Sequence, residues 1–449
     1  MNKVNLLSRI YAWSVALELL LFFVIQVGGI RSNISRFLQI IVLIGLMLKW
    51  LLNVRLDRVR IVNFASHFYR YYMLYFSLAV FAGIIGIFHG AYQVFSVLDQ
   101  STSNFKGLVS SSNIRSILEY FISLYYFLYF VVLPHYMFKS KEGVNYFLSL
   151  LKVTFIISFV AGIIDFGFSS VNHPLLSKSL ANYITVGVRF HGFAGEPRDA
   201  FVYLFFGLAI MHLQAYFKGV NLNKWWIPII FIAALMTQSA SGLVGIVFFI
   251  ALYCIYSLRK ISLARIVQLI TIIFLITVFL YIAIIKSERI MSYAIGLSGL
   301  WQALETKGRI PYPIGEQVVN IYPIYDLIVK FRNLNFLPII IGSGLGSSSV
   351  LNNQFFNIYE LRNTHSQFVR LIYETGVIGV FLFINAFVYP VRYLIRHLSS
   401  KKQEEFILIV LLLLGCFFSH RHVAIFVYSG VFIAVFRVLH KVNTNFIKM

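Results

Sequence analysis

The sequence predicts an all-α polytopic integral membrane protein, and three observations predict it. Hydrophobic residues fill 59% of the 449 positions, and the mean hydropathy is +0.81. Apolar stretches near the ~20 residues that a helix needs to cross a bilayer core recur from end to end. Lysine and arginine gather in alternate connections between those stretches. Lipid offers no partner to a backbone N–H or C=O, so helices, which satisfy their own backbone, are the expected solution. The short alternating segments of a membrane barrel are not present in the sequence.

About twelve spans follow from the hydropathy pattern. They lie near 10–28, 34–53, 71–91, 116–138, 147–168, 199–217, 225–238, 240–258, 264–285, 366–395, 404–419 and 422–440. The span at 225–238 is short, and Thr237-Gln-Ser-Ala-Ser-Gly242 divides it from the next, so this hairpin need not cross fully. The first apolar run is too long for a signal peptide and carries no small-residue cleavage site, so it is expected to be a mature span. Residues 1–449 read as a single helical domain, and 286–365 is a large loop within it, before the tenth span.

The net charge of +22 is explained largely by orientation. With the N-terminus inside, cytoplasmic connections receive Lys49, Arg55, Arg58 and Arg60, then Lys139 and Lys141, then Lys218 and Lys224, then Arg259 and Lys260. Arg396, Lys401 and Lys402 follow, and Lys441 and Lys448 lie in the tail. Such a bias matches the positive-inside rule and puts both termini in the cytoplasm. A nucleic-acid partner is not needed to explain the basic balance. Cys254 and Cys416 both fall inside predicted helices, and no Cys/His spacing suggests a metal site.

The exceptions to the charge bias are on the outer side. The loop before the sixth span carries Lys178, Arg189, His191 and Arg198, and the long loop carries Lys286, Arg289, Lys307, Arg309, Lys330, Arg332 and Arg362. Arg370 lies one turn into the tenth span, and His420-Arg421-His422 forms the turn between the last two. The plain alternative is that these cations meet lipid headgroups or water. That alternative fits Arg189, Arg198 and Arg370 less well, because each stands beside apolar residues at a span mouth, where ionisable groups are costly. Arginine's planar fork holds phosphate oxygens bidentately, so converging arginines point to an anionic ligand, and a polyprenyl pyrophosphate is the candidate at this surface.

The run from Arg362 to Gly379 adds a candidate base. Thr364 is placed to cap a helix, with His365 in its first turn. A neutral imidazole there can accept a proton from an attacking hydroxyl, although a histidine at a membrane edge is more often a hydrogen-bonded structural residue. Arg370 and Glu374 are four apart and able to pair along the helix. In the long loop, segments 315–331 and 336–341 are apolar enough to lie on the bundle as amphipathic or re-entrant pieces. Ile341-Gly-Ser-Gly-Leu-Gly346 lacks the strand–turn–helix setting of a dinucleotide fingerprint and reads as a flexible approach of backbone to the cavity. Glu18 and Asp165 are intramembrane acids, read as helix–helix contacts ahead of proton coupling.

At these residues the chain resembles the O-antigen polymerase and ligase superfamily of bacterial envelope biogenesis. Gly192-Phe-Ala-Gly-Glu-Pro197, preceded by Arg189, is similar to that family's proline motif, with one residue more before Glu196. Thr237–Gly242 resembles its Thr-x-Ser hairpin, without the arginine that often follows the serine. Gly342, Gly344 and Gly346 match a glycine run before the end of the long loop, and His365, Ser366, Phe368, Glu374 and Gly376 match a His…Glu-x-Gly signature.

The resemblance implies a GT-C-like bundle in the bacterial inner membrane, with 286–365 periplasmic. It also implies a glycosyltransferase that uses an undecaprenyl-pyrophosphate-linked oligosaccharide and needs no cofactor. His365, with Glu374, would be catalytic. Arg189 and Glu196 would contact pyrophosphate or glycan, and the chemistry adds Arg198, Arg370, Arg362 and Arg421. The lack of any Asp-x-Asp pair fits a donor that needs no nucleotide or metal. Membrane lipids and a chain-length regulator are the other expected partners. Polymerase and ligase share the donor, and the missing hairpin arginine favours the polymerase. A transporter or flippase is the remaining alternative, and no internal repeat of the kind those folds show is visible.

Overall fold

Asn5 opens the chain's first helix by accepting the Ser8 N–H at 2.7 Å, and Asn33 closes it by donating to the Leu17 and Leu20 carbonyls at 3.2 and 3.1 Å. The protein is seen in a computed structural model that describes residues 4–20, 23–27, 30–51, 63–88, 112–171, 173–176, 189–195, 197–223, 225–239, 309–311, 318–320, 336–348, 367–397 and 425–435, with single positions at 267, 270, 274, 277, 281 and 438. The first helix is α1 (Leu6–Glu18), followed by an antiparallel hairpin of β1 (Val24–Val27) and β2 (Ile30–Asn33). The remaining helices are α2 (Ile34–Leu51), α3 (Asn63–Phe88), α4 (Ser112–Tyr126), α5 (Leu133–Met137), α6 (Lys141–Ser170), α7 (Pro197–Lys218) and α8 (Trp226–Met236). Strands β3 (Arg309–Pro311) and β4 (Val318–Asn320) pair in the long loop, then come α9 (Phe336–Ile341), α10 (Gln367–His397) and α11 (Ile425–Val435).

Four described segments are long and apolar enough to cross a bilayer: Tyr69–Phe88, Ile117–Met137, Lys141–Ser170 and Asp199–Lys218. The protein is a predominantly α-helical membrane protein. Its outward faces are apolar, as a lipid contact requires: Ile40, Ile44, Met47 and Leu48 on α2, and Ile84 and Ile87 on α3, are exposed. Val267, Ile270, Phe274 and Tyr281, helical and three to seven apart, are exposed as well. By contrast α7 is buried on every side, 89% of its apolar window, which makes it the centre of the bundle.

Two expectations change. The first span, expected over 10–28, ends as a helix at Glu18, because β-branched Val24, Ile25 and Val27 pair with β2 and the sequence between the strands, Gly28-Gly29, has the length and composition of a tight hairpin. The segment 315–331, expected to be an amphipathic piece, contributes a strand over its described residues 318–320. Segment 336–341 is a short helix, and the stretch 366–395 is helical as α10, broken at Gly376. The expected spans 240–258 and 404–419 lie outside the described residues.

Aromatic side chains fill the interior. Phe138 stacks on Phe147 at 4.6 Å and Tyr72 on Phe127 at 3.9 Å. Buried hydroxyls find internal acceptors: Tyr11 donates to the Tyr129 carbonyl at 3.0 Å and Tyr72 to that of Ser123 at 3.1 Å. Between α4 and α5 the helix widens into a π turn, Phe127–Val132, just ahead of Pro134. Proline has no N–H and its ring crowds the carbonyl four residues back. Here that carbonyl belongs to Phe130, and it meets α11 at Gly430, where a Cβ would overlap it.

Gly430→Ala should therefore lower stability by about 1–3 kcal/mol through overpacking, read as a reduced thermal midpoint in detergent. Gly167→Ala, at a helical position with nothing within 4 Å, should be neutral in the same measurement.

Candidate functional site

Helix polarity gathers the polar residues of interest at one end of the bundle. The C-terminal ends of α6 and α8 and the N-terminal ends of α4, α7 and α10 share that end, since α4–α5 and α6 run in opposite directions around the turn at 138–140 and α6 packs on α7. Two clusters form there, and each joins stretches far apart in the chain.

The first cluster is built on the loop that enters α7. Phe190 donates its N–H to the Met236 carbonyl at 2.9 Å, which lays the loop against the end of α8. Arg189 then donates from Nε to the Thr237 carbonyl at 3.1 Å and from Nη2 to that of Gln238 at 2.8 Å. These carbonyls stand at the end of α8, where a helix leaves acceptors without intrahelical donors and carries partial negative charge. The proline motif is thereby tied to the Thr-x-Ser hairpin.

The other side of this loop rests on α6. Phe193 donates its N–H to Ser158 Oγ at 3.1 Å. Asp165, buried at 2% exposure, accepts the Leu175 and Leu176 N–H groups at 2.7 and 2.6 Å, and its second oxygen lies 3.3 Å from His191 Nε2. Asp165 is thus a loop anchor, and the expected inter-helix role is filled by Glu18 instead. Glu18 accepts from Ser35, Arg36 and Gln39 of α2 at 2.7, 2.5 and 2.6 Å. Pro197 opens α7 as first-turn proline does, with Asp199 near its N-terminus. Arg198 lies in the first turn of α7, and Glu196 is outside the described residues.

The second cluster is a crossing of two backbones. Helix α10 breaks at Gly376 (φ 63°, ψ −172°), a conformation that suits glycine. The chain segment after α9 passes so close that a Cβ on Gly376 would overlap the Ile340 backbone, and one on Gly342 the backbone of Glu374 and Thr375. At the break, the Tyr373 and Glu374 carbonyls accept from Ser343 and Gly344 N–H at 3.0 and 2.8 Å. Tyr120 of α4 accepts the Leu345 N–H at 3.2 Å and donates to the Ala79 carbonyl at 2.7 Å. The glycine run expected to be a flexible approach is a packed turn, buried throughout 341–348.

Glu374 fastens this turn. Its Oε1 accepts from Gly346 N–H, Ser348 Oγ and Arg370 Nε, each at 3.0 Å. Arg370 uses Nη2 for Glu119 of α4, at 2.9 Å. The fork expected to meet phosphate oxygens meets carboxylate oxygens, and Glu374, expected in catalysis, holds the turn and the arginine. Sequence reasoning missed Glu119 and Tyr120. Glu119 carried a signal, being an acid inside a predicted span.

Arg362, His365 and Arg421 lie outside the described residues, as does Thr364, expected to cap the helix. His365 stands two positions before the first residue of α10, Gln367, in the sequence. Among the described residues no group of three or more His, Cys, Asp or Glu is arranged to hold a metal ion.

Arg370→Met should cost about 3–5 kcal/mol, because it strands two carboxylates in a buried site. Thermal unfolding in detergent would register it, and a midpoint equal to the wild type would contradict the ion-pair geometry. No family model, curated protein or solved structure matches the chain.

Proposed function

We propose that this chain is an O-antigen-type polysaccharide polymerase of the bacterial inner membrane. In this reading it has about twelve spans, both termini in the cytoplasm, a GT-C-like bundle and a site open to the periplasm. The observation that carries the proposal is the pairing of the motif pieces. Arg189 reaches Thr237 and Gln238, and the glycine run reaches Glu374 and Gly376. Four short stretches singled out separately in the sequence become two contacts at one end of a membrane bundle.

The reaction joins lipid-linked repeat units. His365 takes the proton from a sugar hydroxyl of the acceptor as that oxygen attacks the donor's anomeric carbon. The bond from that carbon to the pyrophosphate oxygen breaks, and undecaprenyl pyrophosphate leaves with the electron pair. Arg189, held in place through two of its donors, and Arg198 in the adjacent helix turn stabilise the charge that develops on the leaving group. Arginine suits that task better than lysine because its fork presents several donors in a fixed plane. Arg370 and Glu374 serve here as the frame from which α10 starts.

Reconstitution with a lipid-linked repeat unit should give a ladder of products without added nucleotide or metal. His365→Ala should reduce elongation about 10²–10⁴-fold, the usual contribution of a general base, with expression unchanged. Elongation at the wild-type rate in that variant would remove His365 from the mechanism. Arg189→Lys should also elongate poorly, since one ammonium group cannot span both carbonyls and a phosphate oxygen. In cells, loss of the chain should leave lipopolysaccharide bearing a single repeat, whereas bare core would indicate the ligase.

A further inference from the structure

Arg36 belongs to no sequence motif, yet it lies between the two clusters. Ser8 of α1 donates to the Met137 carbonyl at 3.1 Å, which sets the start of α1 at the far end of the bundle. Its last residue, Glu18, therefore points toward the clusters, and Arg36 follows at the start of α2. At the base of the intervening hairpin, Ile34 donates its N–H to the Phe23 carbonyl at 2.9 Å. The Phe23 ring meets Phe193 of the proline-motif loop edge-on at 5.1 Å, which ties the hairpin to the first cluster. The Arg36 guanidinium lies over the Tyr126 ring, 5.5 Å from its centre. Tyr126 is seven residues deeper in α4 than Glu119, about 10 Å along the same helix face. Glu119 is the partner of Arg370 in the second cluster.

This guanidinium is fixed in place but not used up. Nη2 donates to Glu18 Oε1 and to the Tyr126 hydroxyl, at 2.5 and 3.2 Å, and Nη1 donates to Gln39 Oε1 at 3.2 Å. Among the described residues, Nε and the second Nη1 proton have no acceptor, and the side chain is 34% exposed. Tyr125, partly buried, donates to the same Gln39 oxygen at 2.6 Å. That shared acceptor holds its hydroxyl beside Arg36 Nη1 and leaves the phenolic oxygen able to accept. Two N–H donors and one acceptor are therefore held together on a rigid frame. Glu18 meets the charge of Arg36, so the pair is neutral as a whole. A phosphate calls for surplus positive charge and can only accept. A sugar hydroxyl is uncharged and both donates and accepts, which is the pattern on offer. Tyr126 lies within the span Ile117–Met137, and at that depth the exposed part of a guanidinium faces a water-filled cleft rather than lipid.

We propose that Arg36 and Tyr125 form a sugar-binding subsite between the two clusters, which takes an uncharged monosaccharide unit of the lipid-linked glycan through its hydroxyls. The proposal rests on the glycosyl-transfer reading and adds to it the residues that recognise the glycan rather than the leaving group. Such a frame discriminates strongly, because a ligand without the matching hydroxyls leaves its donors and acceptor unpaired.

The test measures equilibrium binding to the full purified chain in detergent with two tritiated probes. One is the lipid-linked repeat unit extracted from the cells that make it, and the other is undecaprenyl pyrophosphate bearing no sugar. The wild type should bind the first more tightly than the second. Arg36→Lys keeps a charge opposite Glu18 but loses the fork, and Tyr125→Phe keeps the ion pair but loses the acceptor. Each should lower affinity for the repeat unit about tenfold and leave affinity for the bare lipid unchanged. Should Arg36→Lys fail to fold, Tyr125→Phe decides the matter on the same readout. An equal loss for both probes would mark a phosphate site and overturn the proposal, as would unchanged affinity for the repeat unit. A wild type without preference for the glycan-bearing probe would overturn it too. If the preference responds as stated but no form of the protein elongates, the subsite stands and the glycosyl-transfer reading fails. If the wild type elongates while both variants bind like it, the subsite fails and that reading stands.

Discussion

One carboxylate oxygen fastens the glycine turn to α10, and the arginine it holds brings in a third stretch far away in the sequence. Glu374 Oε1 accepts from the glycine turn at Gly346 and Ser348 and from Arg370 one helical turn earlier. Through Arg370 the same contact extends to α4. Without it, the turn after α9 would lose these side-chain ties to α10, beside the backbone hydrogen bonds from Ser343 and Gly344. The constraint behind this arrangement is the medium. A protein in lipid has no solvent to satisfy a charge or a broken helix, so both must be satisfied by other parts of the chain.

The same rule governs the other charges at this end. Glu18 is surrounded by Ser35, Arg36 and Gln39, and Asp165 collects two backbone N–H groups beside His191. In each case the acid joins two chain segments across a turn or loop. Among the described residues the arginines near these turns have two fates. Arg36 and Arg370 are held in ion pairs, whereas Arg189 is directed by carbonyls at a helix end. Net charge alone does not distinguish these fates, but partner identity does.

Much of the helical layout was legible because apolar periodicity is a strong local signal. The spans expected at 34–53, 147–168, 199–217 and 366–395 match α2, α6, α7 and α10 within a few residues. The first span ends early because an apolar run has the same composition in a helix as in a hairpin, and only the pairing of Val24–Val27 with Ile30–Asn33 separates the two. The pairing of Arg370 with Glu374 was legible from their spacing, but the third member was not. Glu119 is 251 positions away in sequence, and a contact of that separation has no local signature. The break at Gly376 was equally hidden, since a glycine within an apolar helix is common and only the passing backbone explains it.

The shortness of α1 has a consequence for how the protein sits in its bilayer. Thirteen helical residues rise about 20 Å, against about 45 Å for the thirty of α6. A hydrocarbon layer is about 30 Å thick, so these two elements cannot match it equally. Hairpin strands also leave edge groups that acyl chains cannot satisfy. Most of α1 is buried against its neighbours, so the helices around it meet the hydrocarbon in its place and take up the mismatch that a lone short helix would impose on the leaflet.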